Sequence, residues 1–118
     1  MPRILSISPS EVLRTTRHLV LQKEGYQVCS LADAPQDETL AKDEKFDLAV
    51  IGHGFRGSDK RQIANVINQQ FPGLPILELC FHSPEIPGVD FILSDSPDEL
   101  LSAIKEILAG RRVRGFLH

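Results

Sequence analysis

The stretch FDLAVIGHGFRGSDK, residues 46 to 60, decides the fold class of this chain. It begins with an apolar run that carries β-branched residues, which is typical of a buried strand. The run stops at Gly52-His53-Gly54, polar turn residues follow, and a helical pattern begins near Ser58. A strand that leads through a glycine turn into a helix is half of a βαβ unit, and this predicts a parallel sheet.

The segments on either side repeat this alternation of strand and helix. The pattern predicts strands over residues 3–8, 26–32, 46–52, 74–80 and 89–93, and helices over residues 8–25, 35–45, 58–71 and 96–110. Two helices begin with Ser-Pro-x-Glu, so Ser8 and Ser96 are predicted N-caps, with a capping box from Ser8 to Glu11. Along the first helix, apolar residues recur at helical spacing: Val12, Leu13, Leu19, Val20 and Leu21.

This order predicts an α/β fold in which helices cover both faces of a parallel sheet. We predict a flavodoxin-like, doubly wound sheet of five parallel strands in the order 2-1-3-4-5. Ligands of such sheets bind where the carboxyl ends of strands one and three meet, which are Ser8-Pro9 and Gly52-His53. The predicted domain covers residues 2–110. Residues 111–118 are a basic C-terminal tail, expected to be a solvated end or a junction to a longer segment.

The composition excludes several function classes. The net charge of the 118 residues is −3, and without the three arginines of the tail the body has ten basic against sixteen acidic residues. A body of this charge would repel phosphate backbones, so we predict no nucleic-acid binding. No leader-like N-terminus and no run of ~20 apolar residues is present, so we expect a cytoplasmic protein without membrane contact. Cys29 and Cys80 are predicted to be buried free thiols, with no metal site and no cofactor.

Five segments, taken in order, resemble the response-regulator receiver (CheY-like) domain family over about residues 2 to 110. They are RILSIS (3–8), EGYQV (24–28), FDLAVI (46–51), LPILEL (74–79) and SPDELLSAI (96–104). In that family an aspartate at the end of strand three accepts a phosphoryl group. An acidic pair after strand one helps to hold Mg²⁺, a Thr or Ser ends strand four, and a Lys ends strand five. The resemblance therefore implies a role in two-component signalling.

This chain departs from the family at each of those positions. Ser8 and Pro9 stand at the acidic pair, Gly52 at the phospho-acceptor, Cys80 at the hydroxyl position, and Leu93 or Ser94 at the lysine. Without these carboxylates there is no evident Mg²⁺ cage and no acyl phosphate. We interpret the chain as a degenerate pseudo-receiver that lacks the phosphorylation residues.

The segment between strands four and five is too short for the fourth helix of a receiver. Only FHSPEIPG, residues 81 to 88, lies there, and it contains two prolines. Glu78 is then expected to meet water or a partner on an uncovered face of the sheet. Either the short loop buries the apolar residues around it, or they form an interaction surface that a partner or a second copy covers: Phe81, Ile86, Val89 and Phe91.

Two functions follow from these observations. The first is a stand-alone, phosphorylation-independent module for protein–protein contact in two-component (phosphorelay) signalling, with no enzymatic activity and with homodimerisation if the patch is open. The alternative is a flavodoxin-like small-ligand or nucleotide-binding module that uses the loop from Gly52 to Gly57, with His53 and Gly54 as contacts. That loop spells GxGxxG, but it follows strand three, whereas the dinucleotide fingerprint follows the first strand of its unit.

Overall fold

All strands of the described chain lie in one parallel sheet. The computed structural model describes residues 1–36 and 44–115. The sheet order is β2-β1-β3-β4-β5-β6, and every neighbouring pair is parallel. The strands are β1 (Arg3–Ile7), β2 (Gln27–Leu31), β3 (Leu48–Ile51), β4 (Ile76–Leu79), β5 (Asp90–Ile92) and β6 (Arg114–Gly115). The predicted order 2-1-3-4-5 is confirmed and is extended by one strand.

Three helices pack against this sheet in the described residues: α1 (Glu11–Lys23), α2 (Gly57–Gln70) and α3 (Pro97–Leu108). Successive strand residues point to opposite faces, so the sheet separates two cores. One core joins α1 and α3 to Ile4, Val50 and Leu79, and the other joins α2 to Leu5 and Ile51. None of the helices in the described part of the chain has the length and apolar character needed to span a bilayer.

The two Ser-Pro-x-Glu sequences behave differently. Ser96 caps α3 as predicted, since its Oγ accepts a hydrogen bond from the backbone N–H of Glu99. At the first site the cap is Ser10, whose Oγ accepts from Leu13, so the prediction of Ser8 as N-cap was wrong. The physical reason is that Ser8 still belongs to the sheet edge: its backbone N–H donates to the carbonyl of Leu31.

The apolar positions of α1 do not mark its buried face. Arg17 and Leu21 are the buried residues of this helix, whereas Val12 is 74% exposed and Leu19 is 59% exposed. The helix thus turns a basic residue toward the sheet and an apolar stripe toward solvent. The helix predicted over residues 35–45 lies mostly outside the described residues.

The basic tail is not a solvated end over residues 112–115, and this prediction was wrong. Val113 is buried, and β6 pairs with β5. Asp90 holds the tail, because its Oδ1 accepts from Arg112 Nε at 2.6 Å and from the backbone N–H of Val113 at 3.1 Å. Val113, which directly precedes β6, packs in the core beside α3.

Candidate functional site

The candidate site positions lie along the carboxyl edge of the sheet, where neighbouring strands end. Ser8, Gly52, Cys80 and Ser94 lie just beyond β1, β3, β4 and β5. Backbone hydrogen bonds hold the edge together: the N–H of Gly52 donates to the carbonyl of Ile7, and the N–H of Cys80 donates to the carbonyl of Ile92. The positions that the sequence singled out are therefore brought together by the parallel register.

Arg17 lies against the position at which the family carries its phospho-acceptor. A Cβ at position 52 would lie 2.6 Å from Arg17 Nη1 and 3.3 Å from Arg17 Cζ. Glycine at this position leaves the room that the guanidinium uses. A guanidinium cation thus lies directly beside position 52.

This guanidinium is buried without a hydrogen-bond partner at Nη1. Arg17 is 9% exposed, and Nη1 has no partner among the described residues. Burial lowers the pKa of Arg17 from its ordinary value, since desolvation disfavours the charged form. The hydroxyl groups of Ser6 and Ser8 are also buried without a hydrogen-bond partner among the described residues. Ile4, two residues before Ser6, packs in the core beneath α1 and α3. Side chains two residues apart along a strand share a face, so Ser6 and Ser8 lie on the same face as Ile4.

The other candidate site positions carry no reactive group. Burial, followed by the charge of Glu78, raises the pKa of the Cys80 thiol to about 12, so this cysteine is a poor nucleophile. Ser94 Oγ accepts from the backbone N–H of Ser96 and shapes the turn before α3. Pro9 is exposed and lies beside the glycine loop. Cys29, predicted to be buried, is half-buried.

His53 is buried, although it follows a strand and precedes a glycine. Its ring stacks on the exposed ring of Phe81, with the centroids 4.1 Å apart, and its Nε2 has no partner among the described residues. Desolvation lowers the pKa of His53. The charges of Arg17 and Lys60 lower it further, against opposing contributions from the backbone of Cys80 and from Asp95.

The glycine loop does not form an open cradle for phosphate. Gly54 adopts a left-handed φ of 101°, and a Cβ there would lie 3.0 Å from Pro9 Cγ. At the start of α2, a Cβ on Gly57 would lie 2.9 Å from Glu85 Cδ. The Glu85 carboxylate beside this helix N-terminus would repel a phosphate, which weakens the nucleotide-binding alternative.

Glu78 contradicts the expectation that it meets water or a partner. Its exposed fraction is 0%. Lys60 Nζ donates to Glu78 Oε2 at 3.0 Å and to the carbonyl of Leu79 at 2.9 Å. The backbone N–H groups of Glu85 and Ile86 donate to the two oxygens of the same carboxylate. The lone acid is tolerated because three donors inside the protein satisfy its carboxylate: the Lys60 ammonium, which also neutralises its charge, and the backbone N–H groups of Glu85 and Ile86.

The Glu78 carboxylate holds the β4–β5 loop in place through these backbone hydrogen bonds. Bends and turns connect β4 to β5, as predicted. The loop covers the sheet: Ile86 is buried, and Val89 and Phe91 are half-buried. Of the predicted interaction surface, Phe81 is the one that stays exposed, at 66%. The first alternative for this patch, a loop that folds down, is therefore the observed one.

Two charged residues of the site escaped the sequence reasoning. Lys60 falls at the start of the helix predicted over residues 58–71, and Arg17 was not singled out in the helix predicted over residues 8–25. The signal for Lys60 was available, because a buried strand that carries Glu78 requires a cation nearby. For Arg17 the signal was that none of the three positions at which the resemblance implies a carboxylate has one. This leaves space and no negative charge at the sheet edge.

Comparisons with known proteins agree with this architecture. The chain is similar to the transcriptional regulatory protein AfsQ1 of Streptomyces coelicolor, with 25% identity over 117 residues, 99% of this chain and 52% of the relative. It is also 29% identical over 116 residues to the alginate biosynthesis transcriptional regulatory protein AlgB of Pseudomonas aeruginosa, covering 89% of this chain and 26% of that protein. The chain thus spans about half of one relative and about a quarter of the other.

Solved structures give the same result at the level of the fold. A LuxR-family two-component response regulator from Aurantimonas sp. superposes with a TM-score of 0.73 at 26% identity, over 96% of this chain and 89% of that one. A CheY-like receiver domain protein from Methanospirillum hungatei has a TM-score of 0.75 at 21% identity, over 93% and 95% of the two chains. No protein-family model matches the chain. The chain therefore has the α/β fold of CheY-like response-regulator receiver domains, with a loop between β4 and β5 and a sixth strand in the described residues.

Proposed function

We propose that this domain is a pseudo-receiver, a cytoplasmic module of two-component signalling that works without phosphorylation and without catalytic activity of its own, by binding a protein partner. The single observation that carries the proposal is the contact between Arg17 and Gly52. Position 52 has no carboxylate, and a guanidinium occupies the space beside it. The similarity to AfsQ1 and AlgB, both named as transcriptional regulatory proteins, supports the signalling context.

The absence of phosphorylation is tested with acetyl phosphate and Mg²⁺, followed by intact-mass spectrometry. We expect no added phosphoryl group on the parent protein, while an aspartate-bearing receiver treated in parallel is modified. The Gly52→Asp variant should also stay unmodified, because Arg17 would pair with the new carboxylate and Ser8 and Pro9 offer no carboxylate to Mg²⁺. A stoichiometric adduct on the parent protein contradicts the proposal.

The partner surface that the structure favours is the apolar stripe of α1, defined here as Val12, Leu13 and Leu19. These side chains are 74%, 42% and 59% exposed. Exposed apolar side chains grouped on one helix mark a surface that a partner covers. The homodimer prediction required an open patch at the β4–β5 loop, and the folded-down loop removes that premise.

The stripe is tested by charge insertion. The double variant Val12→Glu/Leu19→Glu should fold normally, since both side chains face solvent, and should lose the proteins that the parent retrieves from its own cell extract. The double variant Asn65→Glu/Gln69→Glu is the matched control, because both side chains are exposed on α2, away from the stripe. An unchanged set of retrieved proteins with Val12→Glu/Leu19→Glu contradicts this surface.

A further inference from the structure

The guanidinium of Arg17 is buried without a direct partner among the described residues. Arg17 takes part in none of the ion pairs formed among residues 1–36 and 44–115. Its Nη1 is buried without a hydrogen-bond partner there. An isolated buried cation is strongly unfavourable, and an anion that binds beside it recovers the lost solvation. This is the behaviour of a binding group rather than of a structural one.

Arg17 also lines a cleft between α1 and the turn that leads from β5 into α3. The cleft has a volume of about 80 Å³, which is room for roughly five to eight water-sized groups. One wall is apolar and consists of Leu13, Val20, Leu79, Pro97 and Leu100. The remaining lining is polar: Thr16, Arg17, Ser94, Asp95 and Ser96.

We propose that this cleft binds a small organic monocarboxylate of about three to five carbons. The planar guanidinium of Arg17 binds the carboxylate, a geometry that Arg matches with two parallel N–H···O bonds. The hydrocarbon part of the ligand lies against Leu79 and Leu100 on the apolar wall.

The lining disfavours the more obvious anions. Asp95 places a negative charge in the same cleft, so a dianion such as inorganic phosphate is repelled more strongly than a monoanion. Chloride would satisfy the charge of Arg17 but would leave the apolar wall without a contact. Selectivity for a carboxylate with a short apolar body follows from these two neighbours of Arg17. This site lies on the α1 face of the sheet, and its existence does not depend on the proposed protein partner.

The test is thermal unfolding of the parent protein in sodium butyrate, sodium phosphate and sodium chloride at matched ionic strength. We expect butyrate to raise Tm in a saturable way by several degrees when its concentration exceeds Kd about a hundredfold. Phosphate and chloride should give smaller, non-saturating changes. A saturable response to phosphate or chloride that equals the butyrate response overturns the proposal, as does the lack of any saturable response to butyrate.

Two variants locate the response. Arg17→Met should abolish the saturable change, and Arg17→Lys should weaken butyrate binding about tenfold, because an ammonium lacks the two-bond geometry. Arg56→Met is the control, since Arg56 is exposed and lies outside the cleft. Butyrate-dependent shifts of the backbone amide signals of Thr16 and Ser94 give a second readout on the parent protein, so the test does not depend on the folding of a variant. Retention of the response in Arg17→Met, or butyrate shifts that avoid the cleft, overturns the proposal.

Discussion

The described part of the molecule contains two buried cationic side chains, Lys60 and Arg17, on opposite faces of one sheet. One is paired with a carboxylate and the other is not. Lys60, on α2, meets the carboxylate of Glu78 and a backbone carbonyl. Arg17, on α1, has no ion pair in the described chain and leaves Nη1 without a partner. Both side chains are at most 9% exposed, so burial alone does not separate them. The difference between them is that Lys60 has a charged partner in the described chain and Arg17 has none.

The difference separates structure from binding in this fold. The Lys60–Glu78 pair has a structural task, because the same carboxylate fixes the backbone of the loop that replaces a helix. The Arg17 guanidinium makes no hydrogen bond or ion pair that holds an element of the described chain, and it lies beside Gly52 at the carboxyl edge of the sheet. A charge that costs stability without supporting the fold is a sign of a site. Identical substitutions at the two cations should therefore have opposite effects.

Lys60→Met should cause the largest change. Removal of the ammonium leaves the Glu78 carboxylate buried without its cation, and the free energy of unfolding should fall by about 3–5 kcal/mol. Urea titration followed by circular dichroism measures this loss. Lys105→Met is the matched control, because the Lys105 side chain is 68% exposed in its pair with Glu24, and it should change stability by less than about 1 kcal/mol. A loss in Lys60→Met as small as in the control would mean that water compensates Glu78.

Arg17→Met should have the second-largest effect, with the opposite sign. Methionine keeps most of the length of the side chain and removes the unpaired charge, so the free energy of unfolding should rise by about 1–3 kcal/mol. The same urea titration, in buffer without carboxylates, checks it. A decrease in stability would mean that the guanidinium is satisfied in solution, and the contrast with Lys60 would then disappear.

The sequence was sufficient for the framework of the molecule but not for its buried charges. Strand order, the missing helix and the cap at Ser96 follow from local patterns: apolar runs, a short proline-rich segment and a Ser-Pro-x-Glu start. Arg17 could not be found in this way, because Val12 and Leu19, two of the apolar residues of α1, lie on a face that does not meet the sheet. Which face turns inward is decided by tertiary packing, and only the structure shows that packing.

The tail gives the same lesson at the other end of the chain. The sequence RRVR is typical of a solvated basic segment. Val113 is nevertheless buried, and the arginines on either side of it, Arg112 and Arg114, form ion pairs with Asp90. The partner of this segment lies more than 20 residues earlier, so a local pattern has no access to it. Glu78 was misjudged for a similar reason, because its backbone partners belong to a loop with no regular periodicity.

Asp90→Ala should produce an effect of about the same size as Arg17→Met, but in the destabilising direction. This carboxylate is 8% exposed and accepts hydrogen bonds from Arg112 and from the backbone of Val113, so its loss should cost about 1–3 kcal/mol. The Arg112 side chain is 58% exposed, which keeps the ion pair itself weak.

The hydrogen-exchange pattern makes the Asp90 prediction specific. The amides of Phe91 and Leu93 donate to carbonyls of the tail, and they should exchange faster when β6 detaches. Arg111→Ala serves as control, since Arg111 pairs with the exposed Glu106 and does not contact Asp90. Unchanged protection of Phe91 and Leu93 in Asp90→Ala would show that Val113 alone holds the strand.

The smallest effect concerns His53, which lies between the two cations and responds to both. Its pKa is lowered mainly by desolvation and then by the charges of Arg17 and Lys60. Because the folded protein holds this proton less tightly than the unfolded chain, falling pH favours unfolding. The stability linked to neutral His53 is fully present above pH ~6.5. It is lost as the pH falls from there toward the lower pKa of the folded state.

His53→Phe should flatten the pH dependence of the free energy of unfolding in this window and keep the stacking on Phe81. The other histidines are present in both proteins, so the difference between the two curves isolates His53. The Arg17→Met variant provides a second test of the same pH dependence. Arg17→Met removes one of the charges that lower the pKa of His53, so it should reduce the slope but not abolish it. A slope that is equal in all three proteins would mean that neither the burial of His53 nor its cationic neighbours acts on its titration.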